Sequence, residues 1–512
     1  MDLNSSRTEK SAKNVLTGVV SKILIFIFAF LSRTVFVKLL GAEYTGINGL
    51  YTNILSVLAM ADLGINNVFS YTLYQALADK DEKKIATLIN SFKRIYNIIG
   101  LTVIGIGILI IPFMKFIIKT SVPNNEVILY YVLYLVNTAS SYFFCYKTII
   151  LSADQKQYYD NILTTIAHLV MYGVQTLYLL IFKDYIGYLL IQLFFTILKN
   201  YLLSRISSKN YPFIDNHNLV DKNVIQFKDI FTNIKSTFIY KMCSVLLNNT
   251  DNILISVIVS TIYVGYYSNY YLLIQYINAY IYIFSTGLLA SIGNVNTENN
   301  AKKSFTLFNT LLLVYAFIGS VITCVFFCCV QSFIPIWLGK EYLLSDSTVI
   351  AIIILMYTTT LANPVWMYRE TMGLFNQVKY VLIPTVILNV IFSIIFGKIW
   401  GVSGIIFATT FSKFLTTYWY EPIILYKKFD VAVRHYYITQ IKYIIITSIS
   451  LFVSYYICKS VPENIIGLFI KALISGFISL SFMILINYKT DALNDVRSRI
   501  FKLIKRKSNM SS

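Results

Sequence analysis

Ten ionisable side chains interrupt otherwise apolar runs of this sequence: Lys22, Arg33, Asp62, Lys147, Lys241, Asp251, Arg369, Lys413, Glu421 and Lys471. Seven are cations and three are anions. An ionisable group in an apolar layer is expensive and marks a functional candidate by default. A cavity lined mainly by cations attracts an anionic ligand, and loss of water strengthens that attraction. The candidate binding set is Lys22, Arg33, Lys147, Lys241, Arg369 and Lys413. Asp62 and Asp251 are candidates either for ion coupling or for internal salt bridges with those cations. Asp251 stands in the polar run Asn248-Asn249-Thr250-Asp251-Asn252, which hydrocarbon would not tolerate and which must face water or a polar network.

Spacing adds geometry. Lys22 and Arg33 are eleven residues apart, about three helical turns, so they share one helix face at depths ~16 Å apart. The competing reading for any basic side chain near a helix end is that its stem snorkels to the interface and does nothing else.

The elements that must hold these charges are membrane-spanning helices. Hydrophobic residues make up 57% of the 512 and charged residues 13%, with a mean hydropathy of +0.65. A soluble chain of this length needs more charge to cover its surface. Apolar runs of roughly 20 residues recur from end to end, the length that crosses a bilayer core. They are long and continuous rather than short and alternating, so helices are predicted over a barrel. Fourteen spans are predicted: 15–39, 46–76, 88–114, 126–151, 158–182, 185–205, 230–260, 262–291, 304–333, 347–369, 378–398, 402–426, 440–458 and 463–487. The first run carries Lys22 and Arg33 and lacks a small-residue cleavage site, so it reads as a permanent span rather than a cleaved signal. With the N-terminus inside, Lys and Arg concentrate in the inside segments at nearly every loop, placing both termini in the cytoplasm. The net charge of +19 is then topological and implies no nucleic-acid partner.

The two halves resemble each other. Tyr44 and Gly46 recur as Tyr263 and Gly265 at an offset of 219 residues, which also carries Lys22 onto Lys241. Tyr146, Lys147, Gln155 and Tyr158 recur as Tyr368, Arg369, Gln377 and Tyr380 at an offset of 222. An even number of spans per copy keeps the copies parallel. The predicted organisation is an N-terminal segment (1–14), an N-lobe of six spans (15–205), a linker (206–229), a C-lobe of six spans (230–426), a final pair of spans (440–487) and a basic tail (488–512). Two lobes with a site between them is a transporter plan that opens to each side in turn. The repeat pairs Lys22 with Lys241 and Lys147 with Arg369, a cationic collar suited to a phosphate-bearing substrate. Arg33 has no such partner, since Asn252 occupies its counterpart position.

In the tail, Leu493, Val496, Ile500 and Leu503 fall at helical spacing among Arg497, Arg499, Lys502, Lys505, Arg506 and Lys507. This reads as an interfacial helix on anionic lipid headgroups, with a disordered basic tail as the alternative. The 41 tyrosines include a cluster at Tyr263, Tyr266, Tyr267, Tyr270 and Tyr271, read either as a glycan path or as an interfacial aromatic belt with ordinary packing. There is no phosphate-binding loop motif for ATP. The three histidines are scattered, and the six cysteines form no CxxC motif, so neither a metal nor another cofactor is expected. Outer loops are short, which disfavours a membrane enzyme such as a glycan polymerase.

The run from Arg33 through Leu40-Gly41-Ala42-Glu43-Tyr44 and Gly46-Ile47-Asn48-Gly49-Leu50 to Ala61-Asp62-Leu63-Gly64 resembles the opening of the polysaccharide-transporter flippases of the Wzx type. These belong to the multidrug/oligosaccharidyl-lipid/polysaccharide (MOP) exporter superfamily. Thr250-Asp251-Asn252, Gly373-Leu374-Phe375 and Trp419-Tyr420-Glu421-Pro422 extend the resemblance over about residues 15–430. It implies an all-α polytopic membrane protein with two six-helix lobes around a central cavity, MATE-like, plus two C-terminal helices. It implies a non-enzymatic flippase that carries an undecaprenyl-diphosphate-linked oligosaccharide across a bacterial cytoplasmic membrane, for surface polysaccharide synthesis, coupled to an ion gradient. A polyprenyl-diphosphate-linked oligosaccharide, membrane lipids and a glycan polymerase are the partners it suggests. Arg33, Lys147, Lys241 and Lys413 carry over as cationic cavity positions. The alternatives are a lipid II flippase, a drug/cation antiporter of the same superfamily, a glycan polymerase and a non-transporting scaffold.

Overall fold

The computed structural model describes the backbone of residues 7–62, 65–220, 227–298 and 300–508, and all regular structure among them is helical. Backbone groups in hydrocarbon have no partner but the chain itself, so long apolar runs close their hydrogen bonds within one helix. Among the described residues, eleven helices are long and apolar enough to cross a membrane. The chain is a multi-pass membrane protein.

It divides into two compact units, Met1–Gly265 and Tyr266–Ser512. The first holds α1 (Arg7–Leu58), α2 (Ile65–Ala78), α3 (Glu82–Ile110), the short α4 (Met114–Ile117), α5 (Asn124–Ala153), α6 (Tyr158–Phe182), α7 (Tyr185–Asn210) and α8 (Phe227–Ile258). The boundary falls inside α9 (Thr261–Thr297). The second unit continues with α10 (Ala301–Trp337), α11 (Asp346–Met372), α12 (Phe375–Trp400), α13 (Val402–Leu415), α14 (Thr417–Phe429), α15 (Arg434–Cys458), α16 (Ile465–Asn487) and α17 (Asp491–Ser508). The repeat reading puts its linker at 206–229. The compact units meet at Gly265, and α8 packs against α1 within the first.

At three places the fourteen expected spans take other forms. The first and the start of the second share α1, which bends at Gly41, where φ is 84° and only glycine is unstrained. The second then passes through a 3-10 turn, Ala59–Asp62, before α2. The seventh is α8, whose Asn248–Asn252 run makes it too polar to rank among the eleven. The twelfth is split into α13 and α14 at Thr416, whose hydroxyl turns back to the Ser412 carbonyl at 2.6 Å.

Caps explain where the helices stop. Lys183 ends α6 in the left-handed region, and Asp184 starts α7 by accepting from Ile186 N and Gly187 N. Two residues therefore suffice to reverse the chain. Asp81, Asn300, Ser345 and Asn464 cap α3, α10, α11 and α16 in the same way. The core of the second unit is Leu312, Tyr315, Tyr368, Tyr426 and Tyr443, with Leu493 of α17 at its edge.

Candidate functional site: cations within the apolar helices

The loops rich in Lys and Arg define one end of each unit's helices, called here the basic end. Every candidate cation is placed on a helix, and their surroundings differ in kind.

Lys147 and Arg369, partners in the repeat, are both held by carboxylates. Lys147 Nζ lies 2.7 Å from Asp215 Oδ1 and donates to Ser208 Oγ at 2.9 Å, so α5 is tied to the end of α7 and to the turn after it. Arg369, 5% exposed on α11, donates through Nη1 to both carboxylate oxygens of Glu421 on α14, at 2.8 and 2.7 Å. Glu370 lies 3.9 Å from its Nη2. Charge-assisted bonds to a planar carboxylate are strong and directional. Both cations are thus fastened to carboxylates of neighbouring segments.

Lys22 and Lys241, the other repeat pair, are different. Lys22 is exposed on α1 and Lys241 is half-buried on α8. Among the described residues, neither makes a hydrogen bond or an ion pair. The helices that carry them pack against each other within the first unit.

Arg33 stands deeper on α1, its guanidinium carbon 5.9 Å from the centre of the Phe36 ring. Phe36 in turn meets Tyr185 and Tyr188, and Tyr44, Tyr51 and Tyr130 complete the group. Tyr51 donates to the Val127 carbonyl at 2.6 Å. This tyrosine nest was missed from sequence, although Tyr130, Tyr131 and Tyr134 fall at helical spacing on α5. Guanidinium over an aromatic face is a favourable contact.

Lys413 closes the last turn of α13 beside the break at Thr416. Lys471 on α16 is buried and donates to Ser332 Oγ of α10 at 2.7 Å. Asp251 and Asn252 of α8 are buried at 7% and 6% exposure. The side chain of Asp62 lies outside the described residues. In the tyrosine cluster of the second unit, Tyr270 donates to Gln331 Oε1 at 2.8 Å and accepts from Leu344 N, which is a packing role. Among the described residues, no three His, Cys, Asp or Glu side chains group to hold a metal.

The end of the first unit opposite the basic loops is tightly closed. Glu43 accepts from Thr120 Oγ1 at 2.6 Å and from Ser121 Oγ at 2.7 Å. Ser256 donates to the Ile117 carbonyl at 2.7 Å, and Thr261 N to that of Lys119. Beside them Gly46 of α1 meets Gly265 of α9. A Cβ on Gly46 would collide with the Thr261 carbonyl, and one on Gly265 with the Ala42 carbonyl. This pairing repeats the 219-residue offset on both sides, so the segments 42–46 and 261–265 meet through a local two-fold arrangement.

No family model matches the chain, and no curated protein matches it. Solved structures do. The chain is similar to a lipid II flippase, MurJ, in an inward closed conformation, with a TM-score of 0.69 and 17% identity over 93% of this chain and 99% of that one. It is similar to an inward-facing multidrug resistance MATE family transporter of the MOP superfamily, with a TM-score of 0.56 and 14% identity over 76% and 91%. A third match is a MATE structure in complex with MaD3S, with a TM-score of 0.53 and 12% identity over 84% and 98%. The chain thus shares its fold with these flippase and transporter structures.

Proposed function

We propose that this protein is a Wzx-type flippase that carries a polyprenyl-diphosphate-linked oligosaccharide from the inner to the outer leaflet of a bacterial cytoplasmic membrane. The observation that carries this reading is the pair Lys22 and Lys241. Two cations sit on packed helices of the first unit with no partner among the described residues. A diphosphate supplies the matching charge, and its oxygens accept several donors at once. Arg33, farther along α1 against the tyrosine nest, offers a second station to an anion that moves inward. Transport then proceeds by alternating access. The contacts around Glu43, Gly46 and Gly265 close the outer end of the first unit and must part before release.

Asp251, buried on α8 ten residues after Lys241, is the group that would take up a coupling proton or cation. Both termini lie in the cytoplasm in this reading, and a glycan polymerase receives the delivered repeat unit. Lipid II is the nearest alternative cargo, since it shares the diphosphate and differs in the glycan. A cation antiporter would call for more acidic than basic groups, and cations predominate here.

Deletion of the gene in its host, with analysis of lipid-linked intermediates, tests the proposal. Repeat units accumulating on the cytoplasmic face, restored by the intact gene, support it. Accumulation of lipid II identifies the alternative cargo. Unchanged glycan export with altered drug sensitivity overturns it.

A further inference from the structure

We propose that α17 is a binding surface for anionic lipid headgroups, fastening the basic end of the second unit to the leaflet beside it. Its position leaves little choice of environment. The span α16 ends at Asn487 and α17 begins at Asp491, so the connecting chain reaches at most about 14 Å. The link is also turned on itself, with Thr490 N bonded to the Asn487 carbonyl at 3.0 Å. Helix α17 therefore starts within reach of the headgroup layer.

The first half of α17 is docked. Leu493 is buried in the core of the unit. Asp495 accepts from Thr310 Oγ1 of α10 at 2.8 Å and from Arg499 Nε at 2.7 Å. Arg497 and Arg499 are exposed. The Arg497 guanidinium lies 4.7 Å from the centre of the Tyr488 ring, and Tyr488 is 56% exposed just where the span ends. Exposed tyrosines at span ends sit at headgroup depth, so Arg497 is held at that depth too.

The remainder of the helix extends the same design. Six cations (Arg497, Arg499, Lys502, Lys505, Arg506 and Lys507) stand against two acids in α17, and one of these, Asp495, is already engaged. By register, Ile500 and Leu503 continue the apolar stripe of Leu493 and Val496, the pattern of a helix lying in an interface. An acidic protein could also meet these charges. The short tether and the Arg497–Tyr488 contact favour the bilayer surface.

The test uses the full chain reconstituted in phosphatidylcholine bilayers with and without phosphatidylglycerol. Amide exchange across 491–508 is followed in both. Anionic lipid should slow exchange about tenfold or more, and added salt should reverse the effect. A variant carrying Arg497→Gln, Arg499→Gln, Lys502→Gln and Lys505→Gln should lose the lipid dependence while keeping the exchange of α10 unchanged. Equal protection in both bilayers would mean that docking through Leu493 and Asp495 is all that holds the helix, and would overturn the proposal. Protection by inorganic phosphate in neutral bilayers, matching that of the anionic lipid, would also overturn it, since a free-anion site would then suffice.

Discussion

Gly46 and Gly265 meet backbone to backbone, with no room for a side chain on either. The Cβ position of Gly46 lies 3.1 Å from Gly265 N, and that of Gly265 lies 3.1 Å from Gly46 N. Alanine at either position drives a methyl group into a carbonyl of the facing helix. Overpacking of this kind destabilises by about 1–3 kcal/mol, which outweighs the ~1 kcal/mol that alanine otherwise gains over glycine in a helix. Gly46→Ala and Gly265→Ala should each lower the unfolding midpoint in detergent. The double variant should fall by less than the sum, because the first methyl already separates the helices. Unchanged midpoints in both single variants would show that the close approach is dispensable.

The Arg369–Glu421 pair should behave as a structural lock. Removing one partner of a buried pair leaves a bare charge and typically costs about 3–5 kcal/mol. Arg369→Gln and Glu421→Gln should each reduce folded yield sharply, and the double variant should recover much of it. If the double variant is stable yet inactive in glycan export, Arg369 also touches substrate.

Lys147 should tolerate more. Its partner Asp215 is 47% exposed, so the ion pair is screened and its loss is worth up to about 1 kcal/mol. Lys147→Gln should therefore leave folding nearly intact. Lys22→Gln with Lys241→Gln should likewise fold normally and lose at least about tenfold in export rate, since charge-assisted contacts to the diphosphate disappear. Full export by a well-folded double variant would remove these two residues from the binding site.

Tyr211 at the basic end supplies a pH signature. Its hydroxyl donates to Asp154 Oδ2 at 2.5 Å and accepts from Lys156 Nζ at 3.0 Å. Burial, then the hydrogen bond and charge of Asp154, push the phenol well above its usual range. A raised folded value stabilises the protein fully below the unfolded phenol value, about 10, and less as the pH climbs past it. Tyr211→Phe should flatten part of the stability loss seen between about pH 9 and 11. An identical alkaline slope in the variant would show that Tyr211 ionises freely in the folded protein.

The sequence by itself determined the membrane, the helices and most of their ends. Bilayer thickness fixes span length, and a backbone without water must close on itself, so apolar runs such as 158–182 translate directly into α6. It also determined the repeat, because Gly46 and Gly265 stand at one offset and only glycine fits where two backbones touch. The fate of each charge was decided by tertiary structure. Lys22, Lys147, Lys241 and Arg369 look alike in sequence, as cations near the basic ends of apolar helices. Folding brings Asp215 to Lys147 and Glu421 to Arg369 from 68 and 52 residues away, and brings no carboxylate among the described residues to Lys22 or Lys241. Ion pairing falls off within a few ångströms, so it depends on neighbours in space, and those neighbours exist only once the helices have packed.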